Sequence, residues 1–177
     1  NFEASYDDLV IDGSVPEGIS GSLYRIGPNP KFVEGTYHWF FGAGMVHAFH
    51  IDNGRVDYRN RWVRTPKLEQ EIALGQGLNL DININKDTGQ LESNRRNGVA
   101  NTHILTHGDH LIALEEGSHP FSMDPQSLAS KGYGHYGDGI NGAMTAHPKI
   151  DPETGELHGF GYMTDHFGSK TMTYHVI

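Results

Sequence analysis

The residues best placed to do chemistry lie in the run Thr145-Ala146-His147-Pro148-Lys149-Ile150-Asp151-Pro152-Glu153-Thr154-Gly155-Glu156-Leu157. Residues 151–155 carry β-turn chemistry: an Asp to bond its own backbone, a Pro to preset φ and a Gly for the left-handed position. Just ahead of that turn stands His147. Pro148 restricts it to extended backbone and removes the next main-chain donor, so its imidazole is aimed on a rigid mount, as a metal ligand must be. The local pattern alone favours a plainer hairpin whose histidine faces solvent, because turn signals far outnumber metal sites.

The chain has 12 histidines and no cysteine, so any metal would be held by nitrogen or oxygen. His47 and His50 fall on opposite faces of a strand and cannot share an ion there. His103, His107 and His110 gather around a turn and are expected to face solvent, and His38 is given a structural role. On residue type alone, Glu116 is an exposed strand carboxylate and Thr102 an ordinary strand threonine. The run Tyr37, Trp39, Phe40, Phe41 is read as core.

The elements that must position these groups are short and turn-bounded. Residues 9–11 and 22–26 read as strands around the breakers Asp12-Gly13 and Pro16-Glu17-Gly18. Residues 45–51 and 55–63 form a hairpin about Asp52-Asn53-Gly54, with Val56, Tyr58, Asn60 and Trp62 on one face. Residues 66–74 could be helix or loop, and no element is assigned to them. Residues 81–84 turn at Asn85-Lys86-Asp87-Thr88-Gly89, and Thr88-Gly89-Gln90-Leu91 repeats the phase of Thr154-Gly155-Glu156-Leu157. Further hairpins are expected for 101–106 with 111–115, at 121–123 before Asp124-Pro125, and for 142–147 with 158–163. Repeated antiparallel hairpins fit a sandwich, a barrel or a propeller, and the repeated turn tilts the choice toward propeller blades.

With 177 residues, 36% of them hydrophobic, the chain is long enough for one domain with a real core. A formal charge of −9, with no basic cluster larger than Arg95-Arg96, argues against a nucleic-acid partner. There is neither a leader-like start nor an apolar run of membrane-spanning length, so a soluble, cytoplasmic protein is expected.

The segment 145–157 resembles the one that carries the first iron-binding histidine in the carotenoid cleavage oxygenases, the carotenoid, apocarotenoid and stilbene dioxygenases. Gly21-Ser22-Leu23-Tyr24-Arg25-Ile26-Gly27-Pro28-Asn29-Pro30, Tyr37-His38-Trp39-Phe40, Gly44-Met45-Val46-His47-Ala48-Phe49, Tyr58-Arg59-Asn60-Arg61-Trp62-Val63-Arg64-Thr65 and Val99-Ala100-Asn101-Thr102 fall in the same order. The resemblance implies an all-β chain, part of a seven-bladed β-propeller with iron on its axis. Because the last residues end in mid-strand, residues 1–177 are expected to be a single incomplete domain, the N-terminal third or so of a longer protein.

The resemblance also implies an Fe(II) cofactor bound by four histidines, of which His147 matches the first. Glu116 matches a glutamate that orients a ligand histidine lying beyond this chain. Thr102 matches the small residue at the open face of the iron, and Phe40 a ring lining the substrate tunnel. The implied reaction splits a conjugated C=C bond of a carotenoid or apocarotenoid with O2 into carbonyl products. The partners would be a lipophilic polyene and O2; peripheral membrane contact and oligomeric state stay open, and the segment alone would be inactive. The rivals are an inactive or isomerising member, a non-enzymatic propeller binding module, and a stilbene substrate.

Two departures stand out. Phe41 and Ala43 replace aspartates common around Gly42. Glu115 stands where phenol-binding members carry Lys, and 75–79 offers no Tyr, which favours an apolar polyene.

Overall fold

The computed structural model describes the chain except residues 34–37, 79–81, 85, 90, 94–96, 141 and 166–167 and the side chains of Trp39, 82–84, 91–93 and Asp138. Tyr37, Asn79, Asp81, Asn85, Gln90 and Arg95-Arg96 of the sequence expectations therefore lie outside the described residues.

The first sheet has the order β1-β4-β3-β2, from β1 (Ala4–Tyr6), β2 (Gly21–Pro28), β3 (Gly44–Asp52) and β4 (Arg55–Trp62). Its tightest hairpin is the expected one: Asn53 at φ 47° and Gly54 at φ 81° supply the left-handed pair needed between β3 and β4. The strand expected at 9–11 does not form. Val10 is fully exposed, and the edge of the sheet is taken by β1, where Asn60 accepts from the Ala4 amide (2.6 Å) and donates to the Phe2 carbonyl (2.9 Å).

A helix, α1 (Pro66–Leu74), follows where the sequence reading assigned no element. Thr65 caps it by accepting from Leu68 N, Pro66 opens it, and Gly75 closes it at φ 70° with its amide on the Glu71 carbonyl. Buried Lys67 and Glu71 pair along it, and Glu71 also accepts from Leu78 N at 3.0 Å.

After the small hairpin β5 (Ile82–Ile84) and β6 (Leu91–Ser93) comes a second four-stranded sheet, β7 (His103–His107), β8 (His110–Leu114), β9 (Phe121–Met123) and β10 (Ser130–Tyr133). The third sheet is β11 (Lys149–Ile150), β12 (Leu157–Tyr162) and β13 (Met172–Val176). Among the described residues all pairings are antiparallel.

The sheets stack face to face. Val46 and Ala48 of β3 meet Leu111 and Ala113 of β8 and Phe121 and Met123 of β9 in one cluster. On the opposite face of β8, Ile112 and Leu114 pack on Ala146 and Leu105. Met144 and Leu157 continue that layer toward the third sheet. Covered on both faces, β8 reads as an unbroken apolar run from Leu111 to Leu114, each 0–1% exposed. Burying each such side chain contributes about 1.5–3 kcal/mol, so β8 is the mechanical centre of the chain. Among the described residues no helix is long and apolar enough to cross a membrane.

Candidate functional site

The end of β8 works as a bracket. The Leu114 carbonyl accepts from Thr102 N (2.9 Å), Glu115 Oε2 from Val99 N (3.2 Å), and Glu116 Oε1 from Ala146 N (3.1 Å). Adjacent carboxylates thus hold different segments, Glu115 the strap 97–102 and Glu116 the strap 143–148.

The second strap carries His147. The sequence reading made 142–147 a strand of a hairpin, but on the side of β12 away from β13 strand pairing is confined to the short β11, and Thr145 N on the Phe160 carbonyl (2.6 Å) continues the attachment. The cause lies in β12. A Cβ on Gly161 would come 1.8 Å from the Ala143 carbonyl oxygen, and one on Gly159 would come 2.6 Å from Met144 Cε. The two glycines clear a trough in which the strap lies flat on the sheet face. Below His147 the expected turn is present: Asp151 Oδ1 accepts from Glu153 N (2.7 Å) and Thr154 N (3.2 Å), and Gly155 sits at φ 79°.

The His147 side chain is 62% exposed, with Nε2 3.8 Å from Glu116 Oε1. Its amide donates to Thr145 Oγ1 (3.1 Å), whose hydroxyl reaches Glu116 Oε1 at 3.5 Å. Main chain and ring are thus referred to one carboxylate oxygen. Among the described residues the other oxygen of Glu116 takes no hydrogen bond.

His103, expected to face solvent, is half-buried with its ring 5.8 Å from that of His147, and burial first, then His147 and Lys149, lowers its pKa. His107 and His110 depart from the same expectation. His107 lies within hydrogen-bond distance of the Gly155 carbonyl (3.2 Å) and Tyr136 Oη (3.2 Å), and His110 Nδ1 of Ser122 Oγ (2.6 Å). His47 and His50, as expected, serve separate contacts, with Tyr58 Oη and Ser22 Oγ, each at 2.7 Å.

Thr102 is exposed at the start of β7, one residue before His103, and its hydroxyl donates to Asn101 Oδ1 (3.0 Å). Asn101, which the sequence reading passed over, donates to the carbonyls of Phe40 (2.8 Å) and Gly42 (2.7 Å). It ties down the turn that Phe41 and Ala43 leave without side-chain acceptors. The core assignment of Phe40 and Phe41 is overturned: they are 56% and 42% exposed on the 3-10 turn Trp39–Phe41, which His38 caps through Nδ1. Phe40 is joined to the strap by its main chain.

Ala100, preceding Asn101, is left-handed at φ 45° although buried, a conformation costing about 1–2 kcal/mol for a residue with a Cβ. A close approach holds it. Gly44 N donates to the Val99 carbonyl (2.8 Å), and a Cβ on Gly44 would come 2.1 Å from the Ala100 oxygen. On the other side lies Glu115. Burial pushes its carboxyl up, while hydrogen bonds from Ser118, Val99 and Ala100 and the Lys67 cation pull it down.

Among the described residues no group of three His, Asp or Glu converges on a metal position. The exposed His147 imidazole, on a strap that a carboxylate holds at the Ala146 amide, fits one place in a nitrogen-rich sphere completed by other residues.

The whole of this chain, residues 1–177, matches the family model described as RPE65, retinal pigment epithelial membrane protein. The chain is 37% identical over 179 residues to isoeugenol monooxygenase of Pseudomonas putida, covering 99% of this chain and 37% of that protein. It is likewise 37% identical over 175 residues to carotenoid 9,10(9',10')-cleavage dioxygenase 1 of Arabidopsis thaliana, covering 88% and 32%. The crystal structure of Pseudomonas brassicacearum lignostilbene dioxygenase matches with a TM-score of 0.88 at 34% identity, over 99% of this chain and 37% of that one. The chain therefore spans about a third of the length of these relatives. Its stacked antiparallel sheets are part of a β-propeller. By sequence and fold alike, the chain belongs to the RPE65 family, the carotenoid cleavage oxygenases.

Proposed function

We propose that residues 1–177 form one incomplete propeller domain of a dioxygenase that uses Fe(II) and O2 to split a conjugated C=C bond of a carotenoid or apocarotenoid into two carbonyl products. The observation that carries this reading is the presentation of His147, an exposed imidazole whose mount and ring are both referred to Glu116. His147 would be one iron ligand. When bound, the iron supplies the activation of O2 that no side chain can. Glu116 fixes the strap beneath His147 and offers its second oxygen to orient another ligand histidine. Thr102 stands where a small side chain leaves room for O2 and substrate, and Phe40 offers an exposed ring to a lipophilic polyene.

The substrate class rests on Glu115. A glutamate supplies no cation to hold a phenol oxygen, and its carboxylate is already committed to Val99 and Ser118. A second reading, a stilbene or other phenolic alkene, is favoured by the likeness to the lignostilbene and isoeugenol enzymes.

The test is to incubate the full-length protein with iron under 18O2, separately with an apocarotenal and a hydroxystilbene, and identify the carbonyl products by mass. Labelled products from the apocarotenal support the first reading. Products from the hydroxystilbene alone would move the assignment to the second, and none from either would contradict both.

A further inference from the structure

Glu115 has no part in the ligand arrangement around His147, yet it is more enclosed than Glu116 and touches a strained segment. Three observations converge on it. The left-handed Ala100 is followed directly by Asn101 and Thr102, so its conformation sets where both side chains stand. Val99 is gripped on both sides, its carbonyl by Gly44 N (2.8 Å) and its amide by Glu115 Oε2 (3.2 Å). Gly98 leaves space for the carboxylate: a Cβ there would come 2.0 Å from Glu115 Oε1 and 2.4 Å from Ser118 Oγ. A strained turn relaxes unless its surroundings over-determine it, and here the removable restraint is one carboxylate.

We propose that Glu115 is a positioning residue. It latches the turn at Ala100 and so holds in place Asn101, with the Phe40 turn it carries, and Thr102, the residue before His103. Its bearing on turnover rests on the function proposed above; the latch itself does not.

The experiment uses the full-length protein with Glu115→Ala, Glu115→Gln and Gly98→Ala, and reads amide hydrogen exchange, iron content, kcat and KM. Glutamine can turn its carbonyl oxygen to Val99 N and its NH2 to Ser118 Oγ, so it keeps the latch. Glu115→Ala removes the acceptor, and Gly98→Ala drives the carboxylate out from the other side. Both should speed exchange at 99–102 by about tenfold, the effect of one lost hydrogen bond, while β3 and β8 stay protected. They should also raise KM and lower kcat at unchanged iron content, with Glu115→Gln near wild type. Wild-type protection of 99–102 in Glu115→Ala would overturn the proposal. So would exchange that rises evenly through β3, β8 and the strap in all three variants, since that marks a general core role. If no substrate is turned over by the wild-type protein, the exchange pattern still decides the latch, and only the function falls.

Discussion

Glu115 and Glu116 are neighbours at the end of the same strand, and they do opposite things. Just past the end of β8 the chain sends one carboxylate toward the strap 97–102 and the other toward the strap 143–148. The first is enclosed, its ionisation opposed by burial and defended by hydrogen bonds; the second is half-exposed beside an open imidazole. The pair shows that the position of a carboxylate along a sequence says little about its work. What decides the work is which buried donors it must satisfy and how much water it keeps.

The contrast can be broken most forcefully at Glu115. Glu115→Lys would set an ammonium against the Val99 amide and near Lys67, leaving a buried donor and a buried cation uncompensated. About 3–5 kcal/mol of stability should be lost in a urea titration of the full-length protein. A loss near zero would mean that the enclosed carboxylate is replaceable by its opposite.

A smaller effect of another kind is expected at Glu116. Glu116→Gln keeps an acceptor for Ala146 N, so stability should stay within about 0.5 kcal/mol of wild type. Iron affinity or turnover should fall by about 10–100-fold, the usual result of losing a carboxylate that orients a ligand histidine. Equal iron affinity and rate would return Glu116 to the role of a solvated strand-end carboxylate.

The smallest effect lies in the pH dependence. The Glu115 pKa is raised above its ordinary 4.5, so its contribution to stability declines as pH rises through that higher value. Glu115→Gln should therefore gain stability relative to wild type as pH rises from below 4.5 toward neutrality. His103 works in the other direction. Its pKa lies below the ordinary 6.5, so the unfolded chain binds its proton first, and stability is lost as pH falls from above 6.5 through the lowered value. Replacing His103 with Gln should flatten that acid limb, and thermal melts at stepped pH read both trends.

Much of this arrangement was legible beforehand, for physical reasons. Asn53-Gly54 admits one kind of hairpin, and Asp151 to Gly155 one kind of turn, because few residues tolerate those backbone angles. The start and stop of α1 were also written out, in Thr65-Pro66 and Gly75, but the short amphipathic stretch between them left helix and loop unresolved. Residues 142–147 were misread as a strand because their alternation is strand-like. The deciding feature, two glycines on β12, lies more than ten residues away and speaks only when the sheets are stacked. His103 was missed for the same reason: its neighbour in space, His147, comes from the strap 143–148, far away in sequence. Long-range packing, rather than local preference, assembled the site.

The central claim is that His147 is an iron ligand on a mount that does not depend on the metal, and iron content measures it directly. The full-length wild-type protein and His147→Ala should be reconstituted anaerobically with Fe(II), freed of excess, and analysed for iron per chain alongside a thermal melt without metal. The account predicts iron in the wild type, loss of stoichiometric iron in His147→Ala, and metal-free melting temperatures within a few degrees of each other, since the exposed ring contributes little packing. Full iron in His147→Ala, with turnover intact, would contradict it.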